Sequence, residues 1–365
     1  MAADGPSSPR RSTGGGLRET TRAGLEALLA VAVFLMAIRF LGTATETLQP
    51  LLEGLLDTIV GGDPSALGAA WLVSYVLMNG SVVAALALSL FTTGLLTEPQ
   101  LYLMVAGSRL GAAAIVILVG ALDYVADRDY SLRRATSLGI LTFVVTHSIY
   151  LPATLVGYGL LTIGQLTPPT PIGVEFRAGG LVAALTAIAE TLTNAIGAGP
   201  VFVLALALLV VSLRVFNGVL DRVETERVRT VARLTIRRPW IAVILGLVVT
   251  AATTSVAFSL GVVVPLYNRG YVRRRHMVGY ILGANIGTLS DTVIVAIVLE
   301  TPVGAGLVLA LLGVAGALTV LAVLGYERYL AAIAPVHDRI VGDPRVFAAV
   351  LAALLLVPLA LIGIR

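Results

Sequence analysis

The chain has 365 residues, of which 57% are hydrophobic and 13% charged, with a formal net charge of +4 and a mean hydropathy of +0.94. So much apolar surface cannot be hidden in one soluble core, which excludes a soluble globular protein and predicts an all-α integral membrane protein. Cysteine is absent, which excludes disulfides, thiolate metal sites and thiol redox chemistry.

Residues 1–22 are rich in Gly, Ser, Pro and Arg and predict a disordered cytoplasmic tail. A signal peptide is disfavoured, because the apolar stretch Leu25 to Leu41 is long for an h-region and contains Arg39. A membrane span needs about 20 apolar residues. Candidates lie near 24–43, 101–122, 137–163, 199–217, 277–299, 303–325 and 346–364. Three further apolar stretches, 66–96, 178–198 and 240–268, carry polar interruptions. The first and third predict re-entrant hairpins, while Glu190 and Asn194 make the second a partial or interfacial helix. The Pro-rich stretch Leu166 to Arg177 divides the chain, and Asp221 to Arg238 reads as a charged loop. The expected organisation is a tail (1–22), a first transport repeat with its following span (23–163), a linker and partial helix (164–198), a second repeat with its span (199–325), and a C-terminal loop and helix (326–365).

Every one of the 25 basic residues is arginine, and their distribution predicts orientation, because Lys/Arg-rich loops stay cytoplasmic. Arg10, Arg11, Arg18 and Arg22 precede the first span, whereas Thr43 to Ser65 holds only acidic charges. The first span therefore runs from inside to outside. The matching segment 199–217 is followed by Arg222, Arg227, Arg229, Arg233, Arg237 and Arg238, so it runs the opposite way. Related halves of opposite orientation are inverted-topology repeats, the architecture of many secondary transporters. The prediction is a multi-pass protein of the plasma membrane with roughly 8–10 membrane segments and a cytoplasmic N-terminus.

A diverged internal duplication supports this. Gly283 to Thr292 (GANIGTLSDT) has a weaker counterpart in Gly107 to Ala113 (GSRLGAA), and Arg39/Arg214, Pro64/Pro239, Gly107/Gly283 and Gly111/Gly287 recur at offsets of 175 or 176. Met78 to Ser81 (MNGS) lies 29 residues before Gly107, and Thr253 to Ser255 (TTS) lies at a similar distance before Gly283. Gly107, Gly111, Gly283 and Gly287 predict backbone turns that a Cβ would resist.

A hard cation takes oxygen ligands, and the second repeat offers Thr253, Thr254, Ser255, Asn285, Thr288, Ser290, Asp291 and Thr292. Asp291 is the sharpest candidate, because an intramembrane carboxylate costs about 2.5–3.5 kcal/mol on insertion scales; it either coordinates a cation or serves as a cap or internal hydrogen-bond acceptor. Arg109 snorkels toward the outer interface, pairs with a carboxylate, or contacts an anionic substrate. For the hydroxyls around Thr254, helix packing competes with ion ligation. Arg39 and Arg214 read as interface anchors. Glu190 and His147 read as structural groups. His147, His276 and His337 show no metal-ligand spacing. The chain has no GxxxxGK[ST] motif, so ATP hydrolysis is not expected to drive it. No constellation of catalytic groups stands out, and no enzyme activity, nucleic-acid partner or organic cofactor is expected.

GANIGT at Gly283 to Thr288, placed after a small polar hairpin in one of two inverted halves, resembles the type II sodium-phosphate cotransporter family with its bacterial and archaeal branch. Arg133-Arg134-Ala135, His147 and Pro152 extend the resemblance, which covers most of residues 30–325. It departs at MNGS and TTSVA, which lack that family's QSSS pattern, and at Arg109, which stands where the glycine motif has asparagine. The resemblance implies sodium-coupled symport of inorganic phosphate by alternating access, with sodium as coupling ion. Ser255, Asn285 and Thr288 would line the site, Asn79 and Ser81 would be their first-repeat counterparts, and sodium would sit at Ser255, Asn285, Thr288 and Asp291. Transport of another anion, or a scaffold role without transport, is the alternative; homo-oligomerisation is left open.

Overall fold

A computed structural model describes residues 13–126, 131–166, 179–235, 238–253, 259–260, 267 and 272–364. Among these residues the chain is almost entirely helical, with no strand. The helices are α1 (Thr13–Thr47), α2 (Gln49–Ile59), α3 (Asp63–Leu77), α4 (Gly80–Thr92), α5 (Glu98–Ala126), α6 (Leu132–Ala135), α7 (Ser137–Thr162), α8 (Gly179–Ile196), α9 (Ala198–Thr235) and α10 (Pro239–Thr253). They continue with α11 (Arg274–Gly287), α12 (Ser290–Val298), α13 (Pro302–Leu324), α14 (Tyr326–Gly342) and α15 (Pro344–Ile362). Seven stretches among them are long and apolar enough to cross a membrane: Arg22–Thr47, Glu98–Leu118, Ser137–Thr162, Ala198–Val219, Arg274–Val298, Pro302–Leu324 and Pro344–Ile362. These agree with the seven candidates read from hydropathy.

Three segments differ from expectation. Helix α1 begins at Thr13, inside the stretch expected to be a tail, and α9 carries on to Thr235 through what read as a charged loop. Arginine and glutamate are good helix formers, so polarity there marks the end of the apolar span and not the end of the helix. Residues 326–342 form helix α14 where a loop was expected.

The stretch 66–96 is a helix, a break and a second helix. Met78 closes α3 in the left-handed region, with φ 51°. Asn79 then caps α4, its side-chain oxygen accepting from the amides of Ser81 at 2.9 Å and Val82 at 3.2 Å, which satisfies donors that a helix start leaves orphaned. Of the third interrupted stretch, 240–268, the structure describes α10, residues 259–260 and residue 267; residues 254–258 and 261–266 lie outside the described residues.

The two halves pack in corresponding ways. Helix α3 lies along α5, and α10 lies along α11, while α1 lies along α9. Helices α4 and α12 meet, as do α7 and α13. The glycines explain how closely the first two pairs approach. Any Cβ at Gly107 would collide with the carbonyl oxygen of Leu67, and one at Gly111 with that of Trp71. In the second half a Cβ at Gly283 would collide with the Val243 carbonyl, and one at Gly287 with that of Leu247. Each glycine contacts a residue forty positions earlier, and each contact in one half is matched 176 positions later in the other. This corrects the expectation of backbone turns: Gly107, Gly111, Gly283 and Gly287 are helical, and none has positive φ. Their missing Cβ serves close helix packing.

Helix α14 straps the starts of α6, α7 and α11 together. His337 is buried, with Nε2 donating to the Ser137 carbonyl at 3.0 Å, and Nδ1 facing Arg274 and Asp338, each at 3.3 Å. Arg274 also binds the Asp338 carboxylate at 2.6 Å, and Arg133 donates to the Gly342 carbonyl at 2.8 Å. Burial pushes the His337 imidazole below its ordinary value, outweighing the opposing influence of Ser137 and Asp338.

Candidate functional site

Polar groups of both halves meet where α4 begins, α11 ends and α12 begins, against α5 and α7. Helix α11 stops at Gly287, and Thr288 and Leu289 form a turn before α12 starts at Ser290. A helix end leaves carbonyls without intrahelical partners. Side chains from the first half satisfy two of them: Tyr150 donates to the Asn285 carbonyl at 2.6 Å, and Arg109 Nη1 donates to the Thr288 carbonyl at 3.0 Å. The same nitrogen donates to Thr288 Oγ1 at 2.9 Å, and Arg109 Nε donates to Ser108 Oγ at 3.1 Å.

Arg109 is 2% exposed, and it lies 11 residues into α5, or about 16 Å along it. It therefore does not snorkel to the interface. Its charge sits at the C-terminal end of α11, where the helix dipole favours a cation, while Asp291 occupies the first turn of α12, where the dipole favours an anion. Asp291 is 1% exposed; Thr292 Oγ1 donates to its Oδ1 at 3.0 Å, Ser81 hydrogen-bonds the carboxylate, and Arg109 acts on it electrostatically.

Asn285 is also buried. Its Oδ1 accepts from Thr146 Oγ1 at 2.9 Å. Three atoms of this cluster have no hydrogen-bond partner among the described residues: Arg109 Nη2, Asn285 Nδ2 and Asp291 Oδ2. An unmade hydrogen bond in a buried place costs about 1–3 kcal/mol, so two free donors and one free acceptor mark the place where a ligand would be stabilised. Helix α4 contributes its N-terminus, since a Cβ at Gly80 would lie 3.4 Å from Arg109 Nη2.

Of the expected site residues, Ser81, Arg109, Asn285, Thr288, Asp291 and Thr292 come together. Asn79 is at the edge, its side-chain oxygen engaged as the α4 cap. Ser290 turns back to the Gly287 carbonyl at 2.7 Å. Thr253 is buried at the end of α10, while Thr254 and Ser255 lie outside the described residues. Thr146 and Tyr150 were missed, although Thr142, Thr146, Tyr150 and Thr154 recur every four residues along α7 and all four are buried. That spacing defines a polar stripe along one face of the helix.

The other singled-out residues fall elsewhere. Arg39 pairs with Glu300 at 3.2 Å beside a polar cavity of about 370 Å³ lined also by Thr43, Glu46, Gln49 and Thr92, whereas Arg214 is exposed on α9. His147 is buried against Phe143 and Trp71, with Nδ1 toward the Phe143 carbonyl, as a structural group would be.

Residues 208–333 match the family model described as Na+/Pi-cotransporter. The match takes in Asn285, Thr288 and Asp291 and bears out the family resemblance of the GANIGT segment. Comparison with curated proteins gives no match, and neither does comparison with solved structures.

Proposed function

Proceeding from the Na+/Pi-cotransporter domain over residues 208–333, we propose that this protein is a secondary transporter that moves inorganic phosphate together with sodium by alternating access around the buried cluster. The observation that carries this reading is the set of unpartnered atoms, Arg109 Nη2, Asn285 Nδ2 and Asp291 Oδ2. Phosphate supplies acceptors for the two donors through charge-assisted hydrogen bonds, and the nearby N-terminus of α4 favours an anion. The Asp291 carboxylate, with the hydroxyls of Ser81 and Thr292, offers sodium hard oxygen ligands, and Thr253, Thr254 and Ser255 are candidates to complete the set from the other hairpin. Phosphate then arrives at a site whose charge is kept near balance by the ion that travels with it.

The corresponding packing of α3 on α5 and of α10 on α11 supports inverted repeats. In that reading α3–α4 is a re-entrant hairpin, and the basic end carrying α14 is cytoplasmic. The test is radiolabelled phosphate uptake into proteoliposomes under an inward sodium gradient or an equal potassium gradient. Uptake with sodium alone, abolished in Asn285→Ala and Asp291→Ala, is the expected result. No uptake from folded protein under either gradient overturns the reading. That second outcome favours transport of another anion, or a scaffold role, to which the bond between Arg109 and Thr288 already lends support by closing part of the site.

A further inference from the structure

The ligands that Arg109 uses are those a small cation would choose. Thr288 turns both its main-chain carbonyl and its hydroxyl oxygen to one nitrogen, Arg109 Nη1, at 3.0 and 2.9 Å. The Asp291 carboxylate is near enough to act on the same guanidinium. A carbonyl freed at a helix end and a hydroxyl are hard-oxygen ligands of the kind that hold sodium, and the carboxylate adds negative charge nearby. Arg109 comes from the other half of the chain, at the position matching Asn285 by the 176-residue offset. The first half has no equivalent side-chain oxygens, because Ala112 and Ile115 stand where the second half has Thr288 and Asp291.

We propose that Arg109 is a tethered cation that permanently fills a sodium position formed by Thr288 O and Thr288 Oγ1, with the Asp291 carboxylate as its nearby counter-charge, so that the protein binds no sodium there. The inference rests on the sodium-coupled reading above and changes its ion count. A fixed guanidinium holds the local charge balance in every state of the cycle, and any coupling sodium must bind elsewhere in the cluster.

The experiment is a thermal melt of purified protein in detergent, in sodium chloride or choline chloride of equal ionic strength, for wild type, Arg109→Asn and Arg109→Lys. A ligand that binds only the folded state raises Tm with the logarithm of its concentration. Arg109→Asn is expected to gain a sodium-specific rise in Tm beyond the response of wild type, and to need sodium for its folded yield. Arg109→Lys, which keeps the charge, is expected to gain no such rise. A sodium response in Arg109→Asn no larger than that of wild type overturns the proposal, as does failure of that variant to fold in either salt, or an equal gain in Arg109→Lys. In proteoliposomes the sodium-activation curve of Arg109→Asn should be steeper than that of wild type by about one ion, following from an added binding site. The melt needs no transport. A sodium gain without phosphate uptake would uphold the cation position and remove the phosphate reading, and uptake without the gain would do the reverse.

Discussion

Tyr150 donates its hydroxyl to the main-chain carbonyl of Asn285 at 2.6 Å, so a side chain of the first half closes the end of a helix in the second. Tyr150 is fully buried, and phenylalanine in its place would keep the packing and leave that carbonyl unpaired. Tyr150→Phe is expected to cost about 1–3 kcal/mol, the penalty for a buried acceptor left unpaired, read as a lower Tm in detergent. Its phosphate uptake should fall by more than its folded fraction, because the break after Gly287 would lose an anchor.

Adding a methyl group to Gly283 should disrupt the α10–α11 contact. Overpacking costs about 1–3 kcal/mol when the neighbour cannot yield, and the neighbour here is the Val243 main chain. Gly283→Ala and its first-half equivalent Gly107→Ala should both lower Tm and the monodisperse yield by size-exclusion chromatography. Gly313→Ala, where a Cβ meets nothing within 4 Å, should not lower either.

How much of this could be read in advance depended on the kind of signal. Hydropathy needs only a window of apolar residues, and the seven spans follow from it. GANIGTLSDT led to Asn285, Thr288 and Asp291 because their polarity is anomalous in membrane-grade sequence. The role of the glycines was misassigned, since a missing Cβ serves a turn and a close helix contact equally well and only the neighbour's backbone separates the two. For Arg109 three destinations stayed open, because the oxygens of Thr288 that draw it inward lie 179 residues away in the sequence. Tyr150 was overlooked although its four-residue spacing from Thr146 and Thr154 was in plain view.

Met78 holds a left-handed backbone, φ 51° and ψ 27°, at the break between α3 and α4. For an ordinary L-residue that region costs roughly 1–2 kcal/mol, and asparagine visits it more readily. Met78→Asn should therefore raise Tm. A fall would mean that the methionine side chain contributes more through packing than its backbone costs.

The strap formed by α14 should loosen in acid. His337 is held neutral by burial, so its folded value lies below the ordinary one, near 6.5. The unfolded chain then binds a proton before the folded chain does, and the group's contribution to stability is fully present above about pH 6.5 and is lost as pH falls through the folded value. Arg274 opposes the new charge. Asp338 draws it closer, and Arg133 holds the other end of the strap. Melts between pH 7.5 and 5 should slope downward in wild type and less steeply in His337→Gln; equal slopes would count against His337 as the responsible group.

The unlike residues at the matched positions bear on what either half could do without the other. The first half supplies the cation, Arg109, and the second supplies the anion, Asp291, at whose matched position the first half has Ile115. A protein assembled from two second halves would confront a pair of carboxylates with no counter-charge, and one assembled from two first halves would confront a pair of guanidinium groups. The halves are lock and key to one another, and neither can replace the other.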